Sequence, residues 1–230
     1  MAVAKTIIHH FLKTLIMGKI NKGAGILGGF RGTVGSVVGS NWRGIETMRA
    51  VAKPRKGNPT ATQLNQQAKF AVGIKFLSAK RKLLEVGFKS LAVKMTGTNN
   101  ALSNTLKSAI TGVYPNYTID YSKVLLSKGL VAVADSGAAA AGPAGVVSFS
   151  WTINPNMSNS DPTDVAVLVV YCEAMNSTAY TIAGPVRSAL AGTLAVPGFS
   201  GKTVQTWIAF MSDDGKRVSK SVFTGQVNVL

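Results

Sequence analysis

Between Phe30 and Lys56 the chain sets cationic side chains beside aromatic rings: Phe30-Arg31, Trp42-Arg43, Arg49 and Lys53-Pro54-Arg55-Lys56. Guanidinium and ammonium groups pair with phosphates, and an indole or phenyl ring can stack a base, so this mixture suits a nucleic-acid strand. Arg31, Trp42, Arg43, Arg49, Lys53, Arg55 and Lys56 are therefore the candidate nucleic-acid-binding residues, with Lys53, Arg55 and Lys56 expected on phosphates. The competing reading buries Phe30 and Trp42 in a core, where large aromatics commonly sit. That reading is the stronger one for the two rings but accounts less well for the charges, because residues 18–57 hold eight cations against a single acid, Glu46.

Other chemistries find poorer material. Gly23-Ala-Gly25-Ile-Leu-Gly28 has the glycine spacing of a dinucleotide-binding turn, and Glu46 follows at about the distance of a ribose-binding acid. No apolar strand precedes it, and glycines continue where the phosphate-binding helix should begin, so the motif lacks its context. His9 and His10 are adjacent, which splays their rings apart, and no Cys, Asp or Glu cluster joins them to hold a metal. With no other histidine, a Ser-His-Asp arrangement would have to recruit that terminal pair. Asp213-Asp214 sits before Gly215 in turn chemistry, the commonest structural use of such a pair. No catalytic residue, metal ligand or cofactor is expected, and the chain reads as non-enzymatic. Cys172 is the only cysteine, so no intramolecular disulfide exists; within Val165–Cys172 it reads as a small buried hydrophobe.

The cationic stretch belongs to a wider asymmetry. Residues 1–130 carry 20 Lys/Arg against Glu46, Glu85 and Asp120, a net of 20 − 3 = +17, whereas residues 131–230 carry 5 against 6 acids, a net of −1. The formal charge of +16 thus lies wholly in the first part, which suits nucleic acid or another polyanion bound in a salt-sensitive way, the competing reading being that the lysines keep an apolar chain soluble. At 46% hydrophobic residues the chain is too apolar for disorder, and its 24 glycines suit strands and turns.

These residues need elements to position them. Ile7, Ile8, Phe11, Leu12, Leu15 and Ile16 share one helical face, predicting an amphipathic helix over 1–17 that docks on protein, with membrane-surface contact as the alternative. Lys13 and the histidines interrupt it as a secretion signal, and Met17 is an alternative start; a cytoplasmic or particle-assembled protein is favoured over a secreted one. No run reaches the ~18 apolar residues of a membrane span. Residues 18–57 form a basic, glycine-rich arm with short strands at about 31–38 and 43–51, too poor in apolar area to fold alone. Residues 58–115 are helical. Thr60 and Gln63 have capping-box spacing, so a helix begins at Ala61, with Gly73 and Gly87 expected to bend or break it, and another runs over about 99–111. Over 116–230 strands are predicted at 123–133, 145–153, 164–172, 177–183, 187–196, 203–211 and 216–228, with Ser136–Pro143 among the connections. Seven short strands with turns between them predict a sandwich of immunoglobulin or fibronectin type III style, with Trp151 and Trp207 in its core. The fold class is therefore α+β, an arm of short strands and helices ahead of an all-β sandwich.

Met17-Gly-Lys-Ile-Asn-Lys-Gly23, Leu27-Gly-Gly-Phe-Arg-Gly-Thr-Val34, Ser40-Asn-Trp-Arg-Gly-Ile45, Asn58-Pro-Thr-Ala-Thr-Gln63, Asp164–Tyr171 and Val204–Phe210 together resemble a Bacteroidota family of domains of unknown function. The resemblance covers residues 17–230 and implies a C-terminal sandwich, but no activity and no functional residues. The expectation is a structural, self-assembling homo-oligomer whose arm reaches neighbouring subunits, nucleic acid, or both. The alternative is a cell-surface or extracellular adhesion module that binds through the sandwich.

Overall fold

The computed structural model describes residues 19–20, 30–42, 44–54, 57–91, 95–154 and 156–230. The helix expected over 1–17 and the candidates Arg43, Arg55 and Lys56 lie outside the described residues. The chain divides into two compact units, Met1–Asn58 and Pro59–Leu230.

The first unit holds an antiparallel sheet of order β1-β2-β3-β4, built from β1 (Lys19–Ile20), β2 (Phe30–Val34), β3 (Val37–Trp42) and β4 (Ile45–Ala50). The strand expected at 31–38 is in fact a hairpin. Its chain reverses at Gly35-Ser36, where Gly35 takes φ +56°, a left-handed conformation that costs glycine nothing and ordinary residues more. Glycines at 32, 35 and 39 had blurred the alternation that would have marked two strands.

In the second unit α1 (Ala61–Ser78) starts where the Thr60 spacing places it. The Gln63 amide donates to Thr60 Oγ1 at 3.3 Å, and the Thr60 amide donates to Gln63 Oε1 at 3.0 Å. The helix runs unbroken past Gly73, contrary to expectation. A Cβ there would stand 3.0 Å from Leu102 of α3 (Gly97–Ser108), so this glycine lets two helices close on each other. α2 (Arg81–Gly87) does end at Gly87. α3 begins before Asn99 because Thr96, accepting from the Asn99 amide at 3.1 Å, supplies the cap. A hairpin of β5 (Ile110–Val113) and β6 (Asn116–Ile119) follows, its first strand inside the region expected to be helical.

The sandwich pairs a four-stranded sheet, β10-β9-β12-β13, with a three-stranded one, β11-β8-β7. Its strands are β7 (Asp135–Ala141), β8 (Val146–Thr152), β9 (Val165–Cys172), β10 (Ser177–Thr181), β11 (Ala191–Ala195), β12 (Thr203–Met211) and β13 (Val222–Asn228). This three-on-four antiparallel arrangement is the expected immunoglobulin-like or fibronectin-like class. Four boundaries move, one of them because the strand expected from 216 begins only at Val222. Residues 123–133 are irregular, because their amides find scattered partners rather than one neighbouring strand: Ser221 Oγ accepts from the Leu126 amide at 2.9 Å, while the Lys128, Val131 and Ala132 amides donate to Gly87 O, Val218 O and Asn159 O. The alanine-rich stretch expected as a connection is strand β7, paired with β8 despite its low strand propensity. Arg187–Ala189 is a 3-10 turn, which delays β11 to Ala191.

Both faces of the central strands are covered. Ala166, Leu168, Val170 and Cys172 of β9, with Val204, Ile208 and Phe210 of β12, join Val147, Phe149 and Trp151 between the sheets. Val167, Val169, Tyr171, Trp207 and Ala209 point the other way and pack with Phe76, Leu77, Leu84, Phe88 and Leu102 from the helices. A strand buried on both sides reads as a continuous apolar run, which is why Val165–Cys172 lacks polar alternation. The helices and the strands therefore share one compact unit.

Candidate functional site

The register of the arm sheet sorts its residues onto two faces, since residues paired across strands point the same way and neighbours alternate. Trp42 pairs with Ile45, Ser40 with Thr47, Val38 with Arg49, and Thr33 with Val38, so Arg31, two positions before Thr33, joins them. One face thus carries Arg31, Arg49 and Trp42 around a central hydroxyl pair, Ser40 Oγ and Thr47 Oγ1, 2.6 Å apart. Arg31 and Arg49 are exposed, and Trp42 is 49% exposed. The Arg31 guanidinium donates to Asn41 O at 3.0 Å, which ties β2 to β3. Glu46 lies on the opposite face, where Asn41 Nδ2 donates to its Oε1 at 3.4 Å. Among the described residues of these strands, the Arg31–Trp42–Arg49 face therefore holds cations and no acid.

The opposite face carries Phe30, Val34, Val37, Met48 and Ala50. Val34 is 54% exposed and Met48 69% exposed. Large apolar residues at such exposure, adjacent on one sheet, mark a surface suited to a partner rather than to water. Of the seven candidates from the sequence, Arg31, Trp42 and Arg49 come together on the cationic face. Lys53 follows β4 in an exposed segment without regular secondary structure, and Arg43, Arg55 and Lys56 lie outside the described residues.

Residues 59–230 use cations differently. Lys80, one of the basic residues along the helical region, is wholly buried. Its ammonium donates to Phe76 O at 2.9 Å and sits 3.7 and 3.5 Å from the ring centres of Phe76 and Tyr171. Burial pushes its pKa down to about 6, while the two ring faces and the carbonyl favour the charged form. Arg187 is buried as well. Its guanidinium bonds Asp164 Oδ2 at 3.1 Å, Ala132 O at 2.7 Å and Val133 O at 3.3 Å, and lies 3.7 Å from the Phe210 ring centre. Arg187 thus joins Asp164 and two backbone carbonyls within the core, and Lys80 is enclosed by two rings and a carbonyl.

Beside Lys80 opens a cavity of about 420 Å³ between α1, β6 and the end of β9, where Phe76, Tyr117, Tyr121 and Tyr171 meet Lys75 and Glu173. Burial and then the Glu173 charge raise the Tyr121 pKa, and the same two causes lift that of Tyr171 to about 12, so both phenols stay protonated donors. Sequence reasoning missed this group, since its members are spread over about 100 positions and only the packing of α1 on the sheet joins them. Among the described residues no group of three or more His, Cys, Asp or Glu gathers as a metal site, and no helix is long and apolar enough to cross a membrane.

A small antiparallel sheet that gathers cations on one face and exposes large apolar residues on the other, preceding a helix-backed seven-strand sandwich, defines a β-rich two-unit class of protein. The chain belongs to a family of unknown function, DUF6266, whose model matches residues 29–225 and so includes both the arm strands β2–β4 and nearly the whole sandwich. No curated protein and no solved structure shows significant similarity to it.

Proposed function

We propose that the protein is a non-enzymatic, structural, self-assembling protein in which residues 59–230 form the body and the basic arm contacts neighbouring subunits, nucleic acid, or both. The observation that carries this reading is the two-faced arm sheet. Its strands leave Val34, Val37 and Met48 exposed on one face and gather Arg31, Trp42 and Arg49 on the other. A lone four-stranded sheet gains stability when an apolar face is covered, and a second copy of the chain supplies an equivalent face. The net +17 of residues 1–130 supports a polyanion as the other contact.

Size-exclusion chromatography with light scattering and absorbance at 260 and 280 nm tests it. An oligomer is expected, or co-purifying nucleic acid, or a mass increase on adding oligonucleotide at low salt. A clean monomer that none of these conditions alters overturns the proposal.

The aromatic cavity favours a second reading, in which the body recognises a small ligand or glycan. Four rings with a carboxylate and an ammonium at the rim supply stacking faces and directional polar groups within the usual size range of ligand sites. Binding of defined glycans to residues 59–230, abolished by Tyr117→Ala, supports that reading over the first.

A further inference from the structure

We infer that the cationic face of the arm sheet is a platform for single-stranded nucleic acid, held through phosphates by Arg31 and Arg49 and through base stacking by Trp42. The inference rests on the arm reading above and names the polyanion and the face that takes it. The register sets out the layout in three rows. Trp42 and Ile45 form one end, Thr47, Ser40 and Arg31 the middle, and Arg49, Val38 and Thr33 the other end. Trp42 and the Arg49 row are four residues apart along β3, about 13 Å at a strand rise of about 3.3 Å per residue. Cations and a ring separated in this way meet backbone and base alternately along an extended strand.

Charge complementarity selects a polyanion. The only acid of these strands, Glu46, points to the opposite face and is bonded to Asn41. The ring selects a single strand over a duplex, since an indole on a sheet surface can stack only on a base that is not already stacked and paired. The hydroxyls of Ser40 and Thr47 are engaged with each other, and Thr47 Oγ1 also reaches Ser40 O at 3.3 Å, which leaves little dedicated to sugar recognition. Binding is therefore indifferent to sequence and follows backbone charge and stacking.

The tryptophans provide a direct reporter. Trp151 and Trp207 are buried at 3% and 0% exposure, so Trp42 alone of the three can be quenched by a stacked base. The full chain is titrated with fluorescein-labelled dT15, rU15 and a 15-base-pair duplex at 50 mM salt, following both anisotropy and tryptophan emission. Both single strands are expected to bind with quenching, and the duplex at least tenfold more weakly. Trp42→Phe abolishes the quench, and Trp42→Ala weakens binding about tenfold or more. Arg49→Gln lowers the slope of log affinity against log salt by about 0.7, and Arg31→Gln with Arg49→Gln by about 1.4. Arg31 also bonds Asn41 O, so Arg49→Gln alone keeps the test valid if the double variant loosens the sheet.

Equal or tighter binding of the duplex, a quench that survives in Trp42→Phe, a salt slope unmoved by Arg49→Gln, or no binding of either strand overturns the inference. Light scattering on the same samples separates it from the assembly reading. Retained oligomers without strand binding sink the platform alone, and strand binding by a permanent monomer sinks the assembly alone.

Discussion

Arg31 and Arg49 in the arm and Lys80 and Arg187 in the body are residues of the same kinds in opposite circumstances. The arm pair stands on an exposed sheet face. Each body cation is wholly enclosed, Lys80 between two rings and a carbonyl, Arg187 between Asp164, two carbonyls and Phe210. An exposed cation contributes little to stability and keeps its field available to a partner, whereas a buried one must be matched by local groups and is then silent outside. A net charge therefore overstates what a surface can offer. The part to subtract is found by asking which cations have their donors and rings supplied from within.

The contrast breaks first, and furthest, at Arg187. Arg187→Met leaves the Asp164 carboxylate buried without its cation and two backbone carbonyls without their donor, and is expected to cost about 3–5 kcal/mol in urea unfolding. An unchanged midpoint would show that the enclosure of Arg187 is not structural.

Lys80→Met comes next, with the opposite sign. A folded pKa lowered from 10.5 to about 6 means the unfolded chain binds the extra proton between those values, so stability should rise with pH across that window. The substitution removes this slope and stabilises the protein near neutral pH by on the order of 1 kcal/mol. Chemical denaturation of both proteins at pH 6, 8 and 10 checks it; parallel curves would mean that the rings of Phe76 and Tyr171 hold Lys80 charged throughout.

Thr60→Ala removes the cap at the start of the body and should cost about 1 kcal/mol. It sharpens the comparison by calibrating a purely local effect in the same unfolding assay. Smallest in stability, and largest in behaviour, is Met48→Asp in the arm. Thermal unfolding of the body should not move, while the mass in light scattering falls toward monomer. A shifted body transition would instead couple Met48 to the folding of residues 59–230.

Much of the body was legible because its signals are local. The Thr60–Gln63 spacing fixed the start of α1, and the apolar run Val165–Cys172 marked a strand. The arm was legible as strands but not as faces, because the hairpin turn at Gly35-Ser36 lies inside a glycine-rich stretch where alternation fades. The same turn decides that Arg31 and Arg49 share a side. Strand β7 escaped because Asp135–Ala141 is a weak strand sequence held by its partner β8 rather than by its own propensity. The burial of Lys80 had no signature at all. Its cage is completed by Tyr171, 91 positions away, and by a helix packing that no short window of sequence contains.

The double covering of β9 and β12 also sets what counts as a piece of this molecule. Sandwich modules are commonly cut out, fused and exchanged at the ends of their strands. Here such a cut would strip the helices from Val167, Val169, Tyr171, Trp207 and Ala209 and turn one broad face of the sheet into a sticky surface. The smallest portion that keeps its interior closed begins before the Thr60 cap, so any chimera, display fusion or minimal fragment should carry residues 59–230 whole.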